Sequence, residues 1–204
     1  MFHDDPQKHN LKHNPFKALV APRPIAWISS IDPDGVANLA PFSFFNAISE
    51  NPPMVVFAPN GPGPSGSNKD TLRNIQQTNE FVVNLSNWNL RQAMNASSAA
   101  VGPEVDEFVL AGVTAAPSIH VKPPRVKEAP ASLECRFLSR ICLPCTNPNS
   151  ANNLVIGEVV GIHIDDAIIQ NGLIDTAAYQ PLARHGYMDY SSVDSVFEMI
   201  RPTV

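Results

Sequence analysis

The chain alternates short apolar runs with polar turns, and most runs carry the period of strands rather than helices. PIAWISSI (24–31), VANLAPF (36–42), MVVFA (54–58), EFVVNL (80–85), SLECRFL (132–138) and LVIGEVVGIHI (154–164) are rich in β-branched and aromatic residues. Such runs predict strands. In SLECRFL, Leu133, Cys135 and Phe137 alternate with Glu134 and Arg136, which predicts one buried and one solvated face. DPDG (32–35), between the first two runs, reads as a tight hairpin turn with Gly35 at positive φ. Helical patterns are shorter: DTLRNIQQT (70–78), NLRQAMNA (89–96) and VDEFVLAG (105–112), the last closed by Gly112. PSIHVKPPRVKEAP (117–130) reads as a long exposed connection. Many short strands, few helices and no internal repeat predict a mainly β, closed or nearly closed antiparallel barrel with short peripheral helices.

Composition narrows this picture. The 204 residues suffice for one domain with a full core, and 20 prolines favour edges and turns over long helices. A net charge of −5, with no basic run or aromatic–arginine stripe, argues against nucleic acid as a partner. No stretch approaches a membrane span, and the polar start MFHDDPQKHNLKHNPF lacks the apolar middle of a signal peptide, so a cytoplasmic protein is expected. Three cysteines, an odd number, fit a reducing compartment. Cys142 and Cys145 form a C-x-x-C, but no helix N-terminus follows to activate a thiol, and Cys135 lacks the companions of a zinc site. His3, His9 and His13 lie in a segment too polar to organise a metal site, so no metal is expected.

SGSNKDTLRN (65–74) is the first candidate site. Ser67 and Asp70 have the spacing of a capping box at a helix start. Lys69 and Thr71 add a charge and a hydroxyl where helix N–H groups and dipole already favour an anion, which makes a phosphate cup. The neighbouring GPGPSG (61–66) matches a dinucleotide fingerprint in form, but Pro62 and Pro64 remove donors and no acidic residue ends the next strand. Residues 22–59 hold Ser29, Ser30, Asn38, Ser43 and Asn46 among Phe42, Phe44 and Phe45. Apolar walls with edge donors suit a flat heteroaromatic ring, though the same phenylalanines also read as core filling.

Four ordered motifs carry a family resemblance over residues 16–190: PRPIAWISSIDPDGVANLAPFSFFN (22–46), KDTLRNIQQTNEFVVNL (69–85), VDEFVLAGV (105–113) with PPRVKEAPASLEC (123–135), and PLARHGYMDY (181–190). With them the chain resembles the flavin reductase-like, FMN-binding split-barrel proteins, which include flavoredoxin and the flavin reductase components of two-component monooxygenases. The resemblance implies a homodimer of six-stranded antiparallel split barrels holding FMN near the dimer interface. A polar N-terminal arm (1–15) and a C-terminal tail (191–204) would flank the single domain (16–190). Carried across, Trp27, Ile28, Ser29 and Ser30 would run along the flavin ring and ribityl chain. Pro41, Phe42, Ser43, Phe44 and Asn46 would supply wall and polar contacts, and Lys69, Asp70 and Thr71 the phosphate site. Arg23 would be a second phosphate or ring-edge partner. The family's C-terminal R-x-G-G is here Arg184-His185-Gly186-Tyr187, which leaves His185 either to contact nicotinamide or substrate or simply to pack.

The activity so implied is hydride transfer from NADH or NADPH to flavin, with reduced flavin or its electrons passed to a separate flavin-dependent oxygenase or another acceptor. No side-chain acid or base is required, and none stands out as catalytic. The alternatives are a non-catalytic flavin-binding or electron-carrier protein, a split-barrel oxidase of a phosphorylated pyridine compound, and a dinucleotide-binding dehydrogenase.

Overall fold

The structure, a computed structural model, describes residues 2–62, 68–102 and 104–203. Seven strands form the main sheet: β1 (Ala26–Ile31), β2 (Ala37–Phe42), β3 (Phe45–Glu50), β4 (Pro53–Phe57), β5 (Glu80–Leu85), β6 (Ala131–Leu143) and β7 (Asn152–Ile164). Their order is β2-β1-β5-β6-β7-β4-β3, antiparallel throughout. The two edge strands are successive in the chain, joined only by Ser43 and Phe44, so the sheet curls around a core without closing. This is a split barrel. The count is seven rather than six because Phe45–Glu50 pairs with β4, although Asn46, Ala47 and Ile48 are solvent-facing and leave no buried stripe to read.

The predicted turn between β1 and β2 forms as expected: Gly35 sits at φ +87° and the Asp32 carboxylate accepts the N–H of Asp34 and Val36. The barrel core gathers Ile28, Phe42, Phe57, Phe81 and Val155 with Leu72 and Ile75 of helix α2. After a single N-terminal turn, α1 (Phe16–Leu19), helix α2 (Asp70–Thr78) stoppers the barrel, and α3 (Arg91–Ala96) and α4 (Glu107–Ala111) lie outside. Full burial of Leu72 and Ile75 contributes about 1.5–3 kcal/mol each. A second core, with Trp27, Leu39, Met94, Phe108 and Val126, fills the space between sheet and outer helices. Strand β1 therefore has cores on both faces, Ile28 in one and Trp27 in the other.

Two readings of the chain give way. The segment 117–130 is no exposed connection: Val121, Val126 and Ala129 are buried, and Arg125–Val126 pairs with Ala115–Ala116. What fixes it is Glu134, predicted on a solvated face yet fully buried. Its carboxylate accepts the backbone N–H of Ile119 at 2.8 Å and of His120 at 2.5 Å, and pairs with His163 Nε2. Burial pushes the Glu134 carboxyl up, but the bonds from His163, Ile119 and His120 outweigh it and hold it below the usual range. Cys142 lies within β6, and Cys142 and Cys145 are exposed free thiols. No helix of the described residues is long and apolar enough to cross a membrane.

Candidate functional site

A small sheet sets the far wall of the site. Strand β8 (Leu182–Arg184) pairs with Arg23–Pro24 on one side and with β9 (Tyr190–Ser192) on the other. Arg23 locks this wall to α1: its guanidinium donates to the carbonyls of Lys17 and Val20, and to that of His185 at 2.8 Å. Gly186 permits the approach, since a Cβ there would lie 2.5 Å from Ala18 Cβ.

Between this wall, the β2–β3 link and α2 runs a groove. Its first part, about 260 Å³, lies among Asn38, Phe42, Lys69, Thr71, Ser98 and Glu107. The second, about 400 Å³, is walled by Arg23, Ser43, Phe44, Met94, Arg184 and His185. Pro41, Phe42 and Ser98 line both, so the parts adjoin. Their size is that of a cofactor site.

At the first end, Thr71 is buried and its hydroxyl accepts from Asn38 Nδ2 at 2.9 Å, leaving its own hydrogen to donate into the groove. The N-cap of α2 is Lys69, without a side-chain cap, and Asp70 is the first helical residue instead of the third. The proposed Ser67 cap, like most of GPGPSG, lies outside the described residues. Asp70 pairs with Arg73 at 2.6 Å, which offsets part of its charge. Glu107 was not anticipated. Its carboxylate accepts Leu39 N–H at 3.1 Å; burial pushes its pKa up, the Leu39 bond offsets part of that, and Asp70 and Asp106 add to the rise. Glu107, Lys69 and Thr71 line the same cavity.

At the second end, Phe44 and Phe42 give aromatic surface and the Arg23 guanidinium stands 5.8 Å from the Phe44 ring centroid. Arg23 is 7% exposed, and its Nε is buried without a partner among the described residues. Burial, and then the charge of Arg184, lower its pKa. An unpaired buried donor beside an aromatic wall fits a ring with acceptor edges. His185 also lines this end, its Nε2 2.7 Å from Ser191 Oγ.

Not every expected residue arrives. Trp27, Ile28, Ser29 and Ser30 are fully buried and none lines the groove. The backbone between Ala26 and Ser29 is paired with β2 on one side and β5 on the other. Trp27 Nε1 donates to Ser97 Oγ at 2.8 Å. The Ser29 hydroxyl donates to the Pro124 carbonyl and accepts from Asn84, and Ser30 Oγ accepts from Asn74. These four form the layer behind the groove, because a central strand spends its hydrogen bonds on its neighbours. Asn46 is exposed on the edge strand and accepts Ala47 N–H. Conversely, Ser98 and its neighbours close the first end. The run NASSAAVG (95–102), small and polar after a helix, was the signal that could have located them.

The fold is a split barrel, with two adjoining cavities of which one is aromatic-walled. Residues 19–183 match the flavin reductase like domain, and the chain belongs to that family. It is similar to the protein BH2278 of Halalkalibacterium halodurans, which is uncharacterised, at 37% identity over 91% of this chain and 88% of that one. It is also similar to nitrilotriacetate monooxygenase component B from Bacillus cereus: TM-score 0.86, 32% identity, 98% of each chain covered. An FMN-binding protein from Thermus thermophilus shares the fold at TM-score 0.72 and 15% identity, over 97% of this chain and all 100% of that one.

Proposed function

We propose that the groove binds FMN and that the chain is an oxidoreductase in which NADH or NADPH reduces the bound flavin. The observation that carries this reading is that the two cavities share the wall of Pro41, Phe42 and Ser98, which would give one ligand a polar and an aromatic end. Lys69, Thr71 and the α2 N-terminus would hold the phosphate, with Asn38 orienting the Thr71 hydroxyl. Pro41, Phe42, Ser43 and Phe44 would flank the ring, and Arg23 Nε would donate to its edge. Residues 27–30 would act only as rigid backing. Bound FMN supplies two-electron chemistry as a hydride acceptor; the protein's part is to orient it, exclude water from one face and place donors where negative charge develops. His185, tethered by Ser191, would border the open face.

Likeness to a monooxygenase component B along the whole chain supports transfer of reducing equivalents to a separate oxygenase. A homodimer is also proposed: Val196, Phe197, Met199 and Ile200 of the C-terminal tail are each at least 66% exposed, an apolar stretch suited to burial against a second copy. Rapid mixing of the FMN-loaded protein with NADH and NADPH tests the activity. Fast bleaching of the flavin absorbance is expected; a stable yellow protein would mark a flavin carrier instead, and no FMN binding would defeat the reading.

A further inference from the structure

The groove continues past the ring end. Met94, Asn95 and Arg184 are shared with a third cavity of about 380 Å³, whose other walls include Trp88, Arg91 and Gln92. Among the described residues no carboxylate lines this cavity, in a chain whose net charge is −5. Two guanidiniums line it, each set over an aromatic ring: Arg91 Cζ is 3.9 Å from the Trp88 centroid and Arg184 Cζ is 4.3 Å from that of Tyr190. Arg91 spends one donor on the Trp88 carbonyl at 2.7 Å, and Arg184 one nitrogen on the Tyr187 carbonyl and, weakly, Met188 sulfur. Among the described residues neither makes an ion pair. Most of the donors on each remain, and a guanidinium fork matches a phosphate bidentately.

We propose that this cavity holds the phosphorylated ribose of a nicotinamide dinucleotide, Arg91 and Arg184 gripping its 2′-phosphate, so that the chain prefers NADPH to NADH. The inference rests on the flavin reading above, since the shared wall at Met94 and Asn95 lets one ligand lie with its phosphorylated end here and its nicotinamide over the ring end. A dianion gains most from two guanidiniums in a cavity that no acid lines, and the adenine has the Trp88–Arg91 pair as a platform. Gln92 and Asn95 offer amides to the ribose hydroxyls.

Calorimetric titration of the FMN-loaded protein with 2′,5′-ADP and with 5′-AMP tests it, alongside the ratio of kcat/KM for NADPH and NADH. The 2′-phosphorylated probe should bind roughly tenfold or more tightly than 5′-AMP and compete with NADPH. Arg91→Ala and Arg184→Ala should erase that difference and collapse the donor ratio, while Arg91→Lys, which keeps the charge but not the fork, should restore part of it. An unchanged melting temperature and retained flavin colour in Arg91→Ala, a residue that lines this cavity and not the ring end, exclude misfolding. Equal binding of the two probes, or equal losses for both donors in Arg91→Ala, would overturn the proposal. Displacement of FMN by 2′,5′-ADP would also overturn it, by giving the cavity to the cofactor's phosphate. Failure of FMN to bind sinks the flavin reading alone, because titration of the flavin-free protein still reports whether the cavity takes a 2′-phosphate.

Discussion

Replacing Thr71 with Val probes the phosphate end of the groove at a single atom. Val keeps the shape of Thr and removes only the hydroxyl, which is 1% exposed as part of Thr71 and accepts from Asn38 Nδ2 at 2.9 Å. Two losses follow. A hydrogen bond to a charged phosphate contributes about 1.5–3 kcal/mol. At about 1.4 kcal/mol per factor of ten, FMN should therefore bind roughly 10- to 150-fold more weakly. Asn38, 8% exposed, loses its amide partner, which costs about 1–3 kcal/mol of stability by the same reckoning. For a domain of this size each kcal/mol lowers the melting temperature by about 2–4 °C. Quenching of flavin fluorescence on titration gives both affinities, with FMN and with riboflavin, which lacks the phosphate. Riboflavin should bind wild type and variant alike, and Thr71→Ser, which keeps the hydroxyl, should retain most FMN affinity. An equal loss for both flavins would place the phosphate elsewhere, and an unchanged FMN affinity would remove Thr71 from the site.

Glu107→Gln keeps an acceptor for Leu39 N–H but removes a carboxyl whose pKa is raised in the fold, so the wild-type group favours folding below the ordinary carboxylate range and loses that contribution as pH rises through its folded pKa. The variant should melt higher than wild type at neutral pH, converge with it in acid and bind FMN more tightly at neutral pH; thermal scans and titrations across pH check this. Glu134 has the opposite sign: its lowered pKa stabilises the fold above the ordinary carboxylate range, and that contribution is lost as pH falls through the folded pKa. Glu134→Ala strips the partner from Ile119, His120 and His163 and should cost about 3–5 kcal/mol by denaturant unfolding, with early proteolysis within residues 117–130. Gly186→Ala drives a methyl to 2.5 Å from Ala18 Cβ, so α1 must move away from the Arg23 clamp. Lower stability by about 1–3 kcal/mol and weaker binding of FMN and riboflavin together are expected, since this displaces the ring end rather than the phosphate end.

The strands were legible wherever a run was buried on at least one face. EFVVNL emerges as Glu80–Leu85 and DTLRNIQQT as Asp70–Thr78, because residue propensity and periodicity are local properties that survive in the fold. Phe45–Glu50 was not legible, since an edge strand facing solvent carries no stripe, and Glu134 was misread because its partners Ile119, His120 and His163 come from two other segments. The candidate site divides in the same way. The sequence by itself determined that Lys69 and Thr71 begin a helix after a strand, and that Pro41, Phe42, Ser43 and Phe44 follow an apolar run, so each end of the groove was readable as a local pattern. Only the tertiary structure decided that the two ends meet at Ser98, that Glu107 faces the first, that residues 27–30 lie behind the wall, and that Arg91 and Arg184 share a cavity. The reason is physical: which side of a doubly covered strand meets a ligand depends on what packs on each face, and those partners are set by the curl of the sheet rather than by neighbours along the chain.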